Sequence, residues 1–433
     1  MRESILTIPS PPSPVEVFSN HWEEEGAVLF ETQKPSLRER RSILAFRPRK
    51  VLELKKALSG SQFFKDLEEA SREFFCLGFL GYDLRLLVED LPDGNPSDID
   101  LPDAWIGAYD FVLLYDHFEK SWKVKAASNE NISLPKEALS PRDRDPGFPP
   151  VPISVLPVPN MPRDYYFEAV RKAQGYIAKG DIYQLNFTQR FSFQWQFSPW
   201  GLYLRLREAQ PVPYGAFLNL GGRRFVISGS PELFSRVKNG IIVSKPMKGT
   251  IARGKNPAED ESLRRELRRS EKDRAENVMI VDLMRNDLGK VAKAGSVGVP
   301  KLFSVEGYRT VYQMVSEVQG ILKEGVGLAD ILTGLFPPGS VTGAPKKKAC
   351  EIIEELEPHR RGVYTGAIGM VEPSGEMAFS VAIRTLALSG DKGVMGVGGA
   401  IVADSDPERE YEESLLKARA AFRALGVNSE RRE

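Results

Sequence analysis

The chain has 433 residues, with 59 Lys and Arg against 59 Asp and Glu, three His and two Cys, so its formal charge is zero. Nucleic-acid binders neutralise phosphates with a basic excess, and none exists here; Cys76 and Cys350 cannot form a disulfide scaffold, and His21, His117 and His359 stand singly rather than as a zinc site. With 42% hydrophobic residues, the composition predicts a soluble protein with a large core in a reducing, cytoplasmic compartment.

Residues 1–16 lack the apolar run of about 7–15 residues that a secretory signal needs. The apolar runs 111–115 and 280–284 stop far short of the about 18 residues of a membrane span. Neither export nor a membrane location is expected. Short β-branched and aromatic runs at 28–30, 42–46 and 105–115 predict strands, and 62–75 predicts a helix, giving a small amino-terminal lobe over residues 1–155. Residues 129–162, rich in Pro, Asp and Ser, read as a linker.

The larger unit, residues 160–427, opens with an amphipathic helix at 164–179. Strands at 182–193, 215–220, 224–228, 233–238 and 241–244 follow, separated by Gly, Pro or Asn, and read as an antiparallel meander. Residues 257–291 are mostly helical, 308–322 strand-like, 345–356 helical, 364–371 and 379–388 strands, and 406–425 a final helix. The fold class is α+β.

Four segments carry candidate chemistry. Asp273 and Glu276 fall three residues apart on a helix, as do Glu410 and Glu413 on a helix that Pro407 can begin. If these faces meet, they offer hard oxygen ligands suited to Mg²⁺ shared with an anionic substrate; otherwise they complement helix dipoles. The run 336–348 has Thr342 as a possible cap, Pro345 for a first turn, and Gly339 and Gly343 to let amides approach a carboxylate, without the ending of a P-loop. The run Gly396-Val-Gly-Gly-Ala imitates a dinucleotide fingerprint but continues as an extended segment, so close backbone approach or a bulge explains it better. Lys248, beside Gly249 and Thr250, sits in a tight turn where lysine is ordinarily solvated.

Together these segments resemble the chorismate-utilising enzymes, the family of anthranilate synthase component I and aminodeoxychorismate synthase component I. The markers are GDIYQLNFTQRF at 180–191, GSPELF at 229–234, PMKGT at 246–250, ENVMIVDLMRNDLG at 276–289, LFPPGSVTGAPK at 335–346, IRT at 383–385 and GGAIVADSDPEREYEES at 398–414. LFET at 29–32 and RRSILAFRP at 40–48 agree more weakly, and in the family they lie near a pocket that can hold tryptophan. The resemblance implies two antiparallel β-sheets packed around the active site with helices outside. It implies Mg²⁺ ligation by Glu276 and Glu413, with Asp273 and Glu410 close by through water. Arg384 and Lys417 match positions that hold the enolpyruvyl carboxylate; Thr250, Thr342, Gly343 and Gly399 match substrate contacts.

Lys248 marks the aminodeoxychorismate branch, where anthranilate synthases carry alanine. The resemblance makes it a nucleophile toward C2 of chorismate, and makes Glu232 the acid that protonates the departing C4 hydroxyl. Gln184 stands where isochorismate and salicylate synthases use a water-activating lysine, and Gln313 where anthranilate synthases, and some aminodeoxychorismate enzymes, have a histidine near the ring; both are expected substrate contacts. The resemblance implies chorismate and ammonia as substrates, and since no glutaminase triad is present, it implies a separate glutamine amidotransferase subunit as partner. The expected activity is chorismate amination at C4 for folate synthesis. The rivals are anthranilate synthase component I and a catalytically silent chorismate- or tryptophan-binding subunit.

Overall fold

A computed structural model describes residues 2–6, 11–57, 62–128, 139, 156–309 and 311–427, so most of the expected linker lies outside the described residues. Successive strand residues point to opposite faces, which here separates two cores. Leu29 and Phe217 face an outer core, whereas their neighbours Val28, Ala216 and Leu218 face the space between two sheets. The sheets have twelve and ten strands, and every strand pairing among the described residues is antiparallel. Val112, Val226 and Ala387 of the larger sheet meet Phe75, Trp105 and Ile368 of the smaller.

Helices cover both outer faces. Pro199–Ala209 and Pro407–Ala424 lay Leu202, Leu206, Ala418 and Phe422 against the larger sheet. Phe63–Glu73, Glu271–Val291 and Leu328–Leu335 lay Leu67, Ile280, Leu288 and Leu332 against the smaller. Arg163–Ala178 and Lys346–Leu356 pack around Leu185 and Phe187 at one end of the larger sheet. The expected sandwich with external helices is thus present. No helix among the described residues is long and apolar enough to cross a membrane.

Strands from both ends of the chain share each sheet: Val28–Glu31 pairs with Tyr214–Gly221, and Phe75–Leu80 with Ala367–Val371. Two expected single strands are each two strands in different sheets. The run 105–115 divides into Ala104–Tyr109 and Phe111–Asp116, and 379–388 into Met377–Val381 and Thr385–Ser389. The strands of both runs are buried on nearly every residue, so period-2 patterning does not separate them, although a charged residue, Asp110 or Arg384, stands at each crossing.

The expected meander is also different. Gln184–Gln194 pairs with Lys392–Ile401, away from Tyr214–Gly221. The helix expected over 257–291 breaks at Ser270, whose hydroxyl accepts from the Asp273 N–H at 3.2 Å and so starts a new helix. The helix Pro199–Ala209 was not expected from periodicity, since it is buried nearly all round.

Candidate active site

The site begins where the chain passes from one sheet to the other. Strand Arg224–Ser230 belongs to the larger sheet and Leu233–Lys238 to the smaller, and Glu232 lies at the crossing. Arg384 lies at the return crossing with a left-handed φ of 53°. The crossings are laced together: Val381 N donates to the Glu232 carbonyl at 3.0 Å and Gly229 N to the Arg384 carbonyl at 3.0 Å. Glu232 is only 4% exposed, and burial raises its pKa to about 7 against the opposing effects of the Ser340 hydroxyl, Lys248, the Met247 N–H and Arg384. Burial lowers Arg384 to about 10, with Tyr308, Glu232 and Tyr364 resisting.

Lys248 is in a strand, Met247–Ala252, rather than the expected free turn. Its pairing with Val311–Ile321 advances three residues, Met247 to Thr250, against two, Val315 to Gln313, which is a β-bulge. Gly249 supplies the left-handed φ of 83° that the bulge needs. The bulge aims Lys248 inward. Lys248 keeps some solvent exposure as a residue, but crowding of its ammonium lowers the pKa; Glu276 opposes this, Lys417 adds to it, and Glu232 and Glu413 oppose it.

Glu413, from the second carboxylate pair, lies near enough to Glu276 of the first for its charge to act on it. Burial, and the charges of Asp273 and Glu413, raise Glu276, while Lys248 and Lys272 lower it. Burial likewise raises Glu410, although Ser405 Oγ donates to it at 2.7 Å. Lys417 holds Glu413 below the usual carboxylate range, its ammonium 2.8 Å from Glu413 Oε1 and 3.0 Å from the Gly398 carbonyl. A Cβ built on Gly399 would lie 3.4 Å from Glu410, 3.5 Å from Lys417 and 3.9 Å from Glu413, so a glycine leaves that floor open.

Among the described residues no three carboxylate, thiol or imidazole groups converge into a ready-made metal cage. Hard oxygens on facing helices nevertheless fit Mg²⁺, which takes one or two protein carboxylates and completes its shell with water and substrate. Burial is the main cause of the raised pKa values of Glu276 and Glu410, and a neighbouring carboxylate charge adds to it in each.

The glycine-rich turn lies beside Glu232, but Thr342 does not cap the helix that follows. Its hydroxyl donates to the Pro338 and Gly339 carbonyls at 3.3 and 3.1 Å, and Pro345 occupies the cap position without a side-chain cap bond. Gly343 is required by close approach, since a Cβ would sit 2.4 Å from the Gln184 carbonyl. Gly398 is similar, 2.3 Å from the Phe187 carbonyl, so close backbone packing explains the false fingerprint. Gln184 and Gln313 are buried with unpartnered Oε1 atoms. Thr250 pairs with Gln313 in register but is exposed, so the structure does not gather it into the pocket. Sequence reasoning missed Ser340 and Tyr308; the first stands inside a motif it had quoted.

In LFET, Glu31 accepts from Tyr203 Oη at 2.5 Å and pairs with Arg207 at 2.9 Å, and Thr32 donates to the Arg41 and Pro213 carbonyls at 2.9 and 3.3 Å. Cys76 and Cys350 are free and buried, and burial raises Cys76 to about 12.

A sequence model of the chorismate binding enzyme family matches residues 21–423. Aminodeoxychorismate synthase component 1 of Bacillus subtilis (strain 168) is 38% identical over 385 residues, covering 85% of this chain and 82% of the relative. Anthranilate synthase component 1 of Acetivibrio thermocellus is 38% identical over 369 residues, covering 81% and 74%. The crystal structure of anthranilate synthase component I from Streptococcus pneumoniae TIGR4 superposes with a TM-score of 0.78 at 30% identity, covering 89% and 93%.

Proposed function

The chain belongs to the chorismate binding enzymes, and on that footing we propose that it replaces the C4 hydroxyl of chorismate with an amino group, giving 4-amino-4-deoxychorismate for folate synthesis. The observation that carries this reading is Lys248: a bulge aims its amine among Glu232, Glu276 and Glu413, and desolvation lowers its pKa.

A neutral Lys248 amine attacks C2 of the ring; the conjugated double bonds shift and the C4–O bond breaks. Glu232, protonated up to about pH 7, gives its proton to the departing hydroxyl, which leaves as water. Ammonia then bonds to C4, the double bonds shift back, and the C2–N bond breaks to free the lysine. Arg384 and Lys417 bind the enolpyruvyl carboxylate, and Gln184 and Gln313 offer buried amides to the ring. Glu276 and Glu413 would hold Mg²⁺, with Asp273 and Glu410 behind them, and the ion would anchor the ring carboxylate and stabilise its charge.

The ammonia source is a glutamine amidotransferase subunit. Relatives carry "component 1" in their names, and neither buried cysteine here is a thiolate candidate. Anthranilate formation is the second reading, because relatives of both names match at equal identity. Incubation with chorismate, Mg²⁺ and ammonium, followed by mass analysis, separates them. Aminodeoxychorismate is expected; anthranilate with pyruvate overturns the assignment, and no turnover leaves a binding subunit.

A further inference from the structure

The glycine-rich turn is gripped from two sides by cations, Arg361 buried and Lys346 partly buried. Lys346 Nζ donates to the Leu335 and Pro337 carbonyls at 2.8 and 2.9 Å and pairs with Asp287 at 2.5 Å. Asp287 comes from the Glu271–Val291 helix that also bears Asp273 and Glu276, and is 1% exposed. On the other side Arg361 donates to the Val341 carbonyl at 2.7 Å and the Asn186 carbonyl at 2.7 Å, while Glu357 holds it through bonds of 2.7 and 2.9 Å. Glu357 is itself fixed by the Thr188 N–H and hydroxyl, both at 2.9 Å. Gly339 seats the turn on the same helix, where a Cβ would meet Met284 at 2.4 Å.

Between the gripped carbonyls stands Ser340, 6% exposed, its hydroxyl on the Glu232 carboxyl. Withdrawing a cation from water is unfavourable unless it is paired and hydrogen-bonded, and both are. Each cation spends its remaining donors on carbonyls of this turn or of the strand beside it.

We propose that Lys346 and Arg361 are positioning residues for the reaction, clamping the carbonyls of turn residues 335–341 so that Ser340 holds the Glu232 carboxyl in line for proton transfer. The inference rests on the chorismate-amination reading.

The test compares Lys346→Met, Asp287→Asn, Arg361→Lys and Ser340→Ala with the parent, measuring kcat and KM for chorismate with ammonium, and the urea midpoint. The expected result for Lys346→Met is a kcat lower by about 10²-fold with KM little changed, as for misplacement of a reacting group by about 1 Å. Combining Lys346→Met with Ser340→Ala should lose no more than the larger single loss, because both act through one contact. Folded variants with parent kcat, or losses that multiply, overturn the clamp. Should Lys346→Met fail to fold, Asp287→Asn, which preserves shape and frees the lysine, is held to the same criteria. A parent that turns over no chorismate refutes the functional reading instead, so the two failures are distinct.

Discussion

Lys417 and Glu413 form an ion pair of 2.8 Å one turn apart on the Pro407–Ala424 helix, and the same ammonium donates to the Gly398 carbonyl at 3.0 Å. The pair keeps Glu413 ionised at pH values where Glu276 and Glu410, both raised, begin to take up protons. A cation site with one ligand always charged tolerates mild acid better than one built from raised carboxylates alone. The same lysine lies close enough to Lys248 to lower its pKa, so the proposed metal-binding and nucleophilic parts of the pocket share one electrostatic centre.

The first prediction concerns those carboxylates. Glu276→Gln and Glu413→Gln should each lower turnover by about 10–100-fold or more at fixed Mg²⁺, the range for lost metal affinity. Raising Mg²⁺ should recover part of the loss, and removing it from the parent should abolish turnover. Rates that do not respond would leave Asp273, Glu276, Glu410 and Glu413 as helix-dipole partners only.

A second prediction is a bell-shaped pH profile. The proposed reaction needs Lys248 neutral and Glu232 protonated. The fraction of protein holding both forms shrinks at low pH, where the amine takes up a proton, and at high pH, where Glu232 loses its own, so the rate falls on both sides. Because the two groups interact, the limbs belong to the pair. Lys248→Ala should abolish aminodeoxychorismate formation, and Glu232→Gln should remove the descending limb together with most of the rate. Folding follows the same sign: Glu232 binds its proton more tightly folded than unfolded, so its contribution to stability declines as pH rises from 4.5 to about 7. A Glu232→Gln protein whose urea midpoint declines as steeply as the parent's over that window would refute the shift.

Much of this was legible in the sequence because short motifs carry the chemistry. Lys248, Glu232, Glu276 and Glu413 could be named as candidates from the sequence, and the structure brings their charges close enough to act on one another. The sheet crossings were not. Residues 379–388 are mostly buried on both sides of Arg384, and period-2 patterning is silent on which sheet a strand joins. The bulge at Lys248 was hidden for a related reason: a Met-Lys-Gly-Thr run reads as a turn until its partner strand is known to pair on both sides of it. Lys346 and Arg361 act through contacts to residues distant in sequence or to backbone carbonyls, for which a single chain offers no local signal.

The bulge supports a third prediction. Gly249 has φ of 83°, and a Cβ there would sit 2.8 Å from Asp273 Oδ1. Gly249→Ala should destabilise the protein by about 1–2 kcal/mol from the left-handed backbone alone. It should also lower kcat, because relief of the clash moves either Asp273 or Lys248. Gly375, with φ of 80° and nothing within 4 Å of its Cβ, is the control: Gly375→Ala should show the backbone effect without the loss of kcat. Equal activity in both variants would mean that the bulge does not aim the lysine.

The last prediction separates the ammonia source from the chemistry. With chorismate, Mg²⁺ and glutamine alone, the chain should make no product; ammonium in place of glutamine should restore it, more strongly at higher pH where NH₃ is the larger fraction, until the ionisation of Glu232 takes over. Cys76 is buried with its thiol pushed up to about 12, and Cys350 is buried against the Tyr82 hydroxyl at 3.6 Å, so neither presents a thiolate to a glutamine carbonyl. Iodoacetamide should therefore leave the ammonium-dependent rate unchanged. If the isolated chain hydrolyses glutamine and iodoacetamide stops it, one of these cysteines is a nucleophile after all and no separate amidotransferase is required.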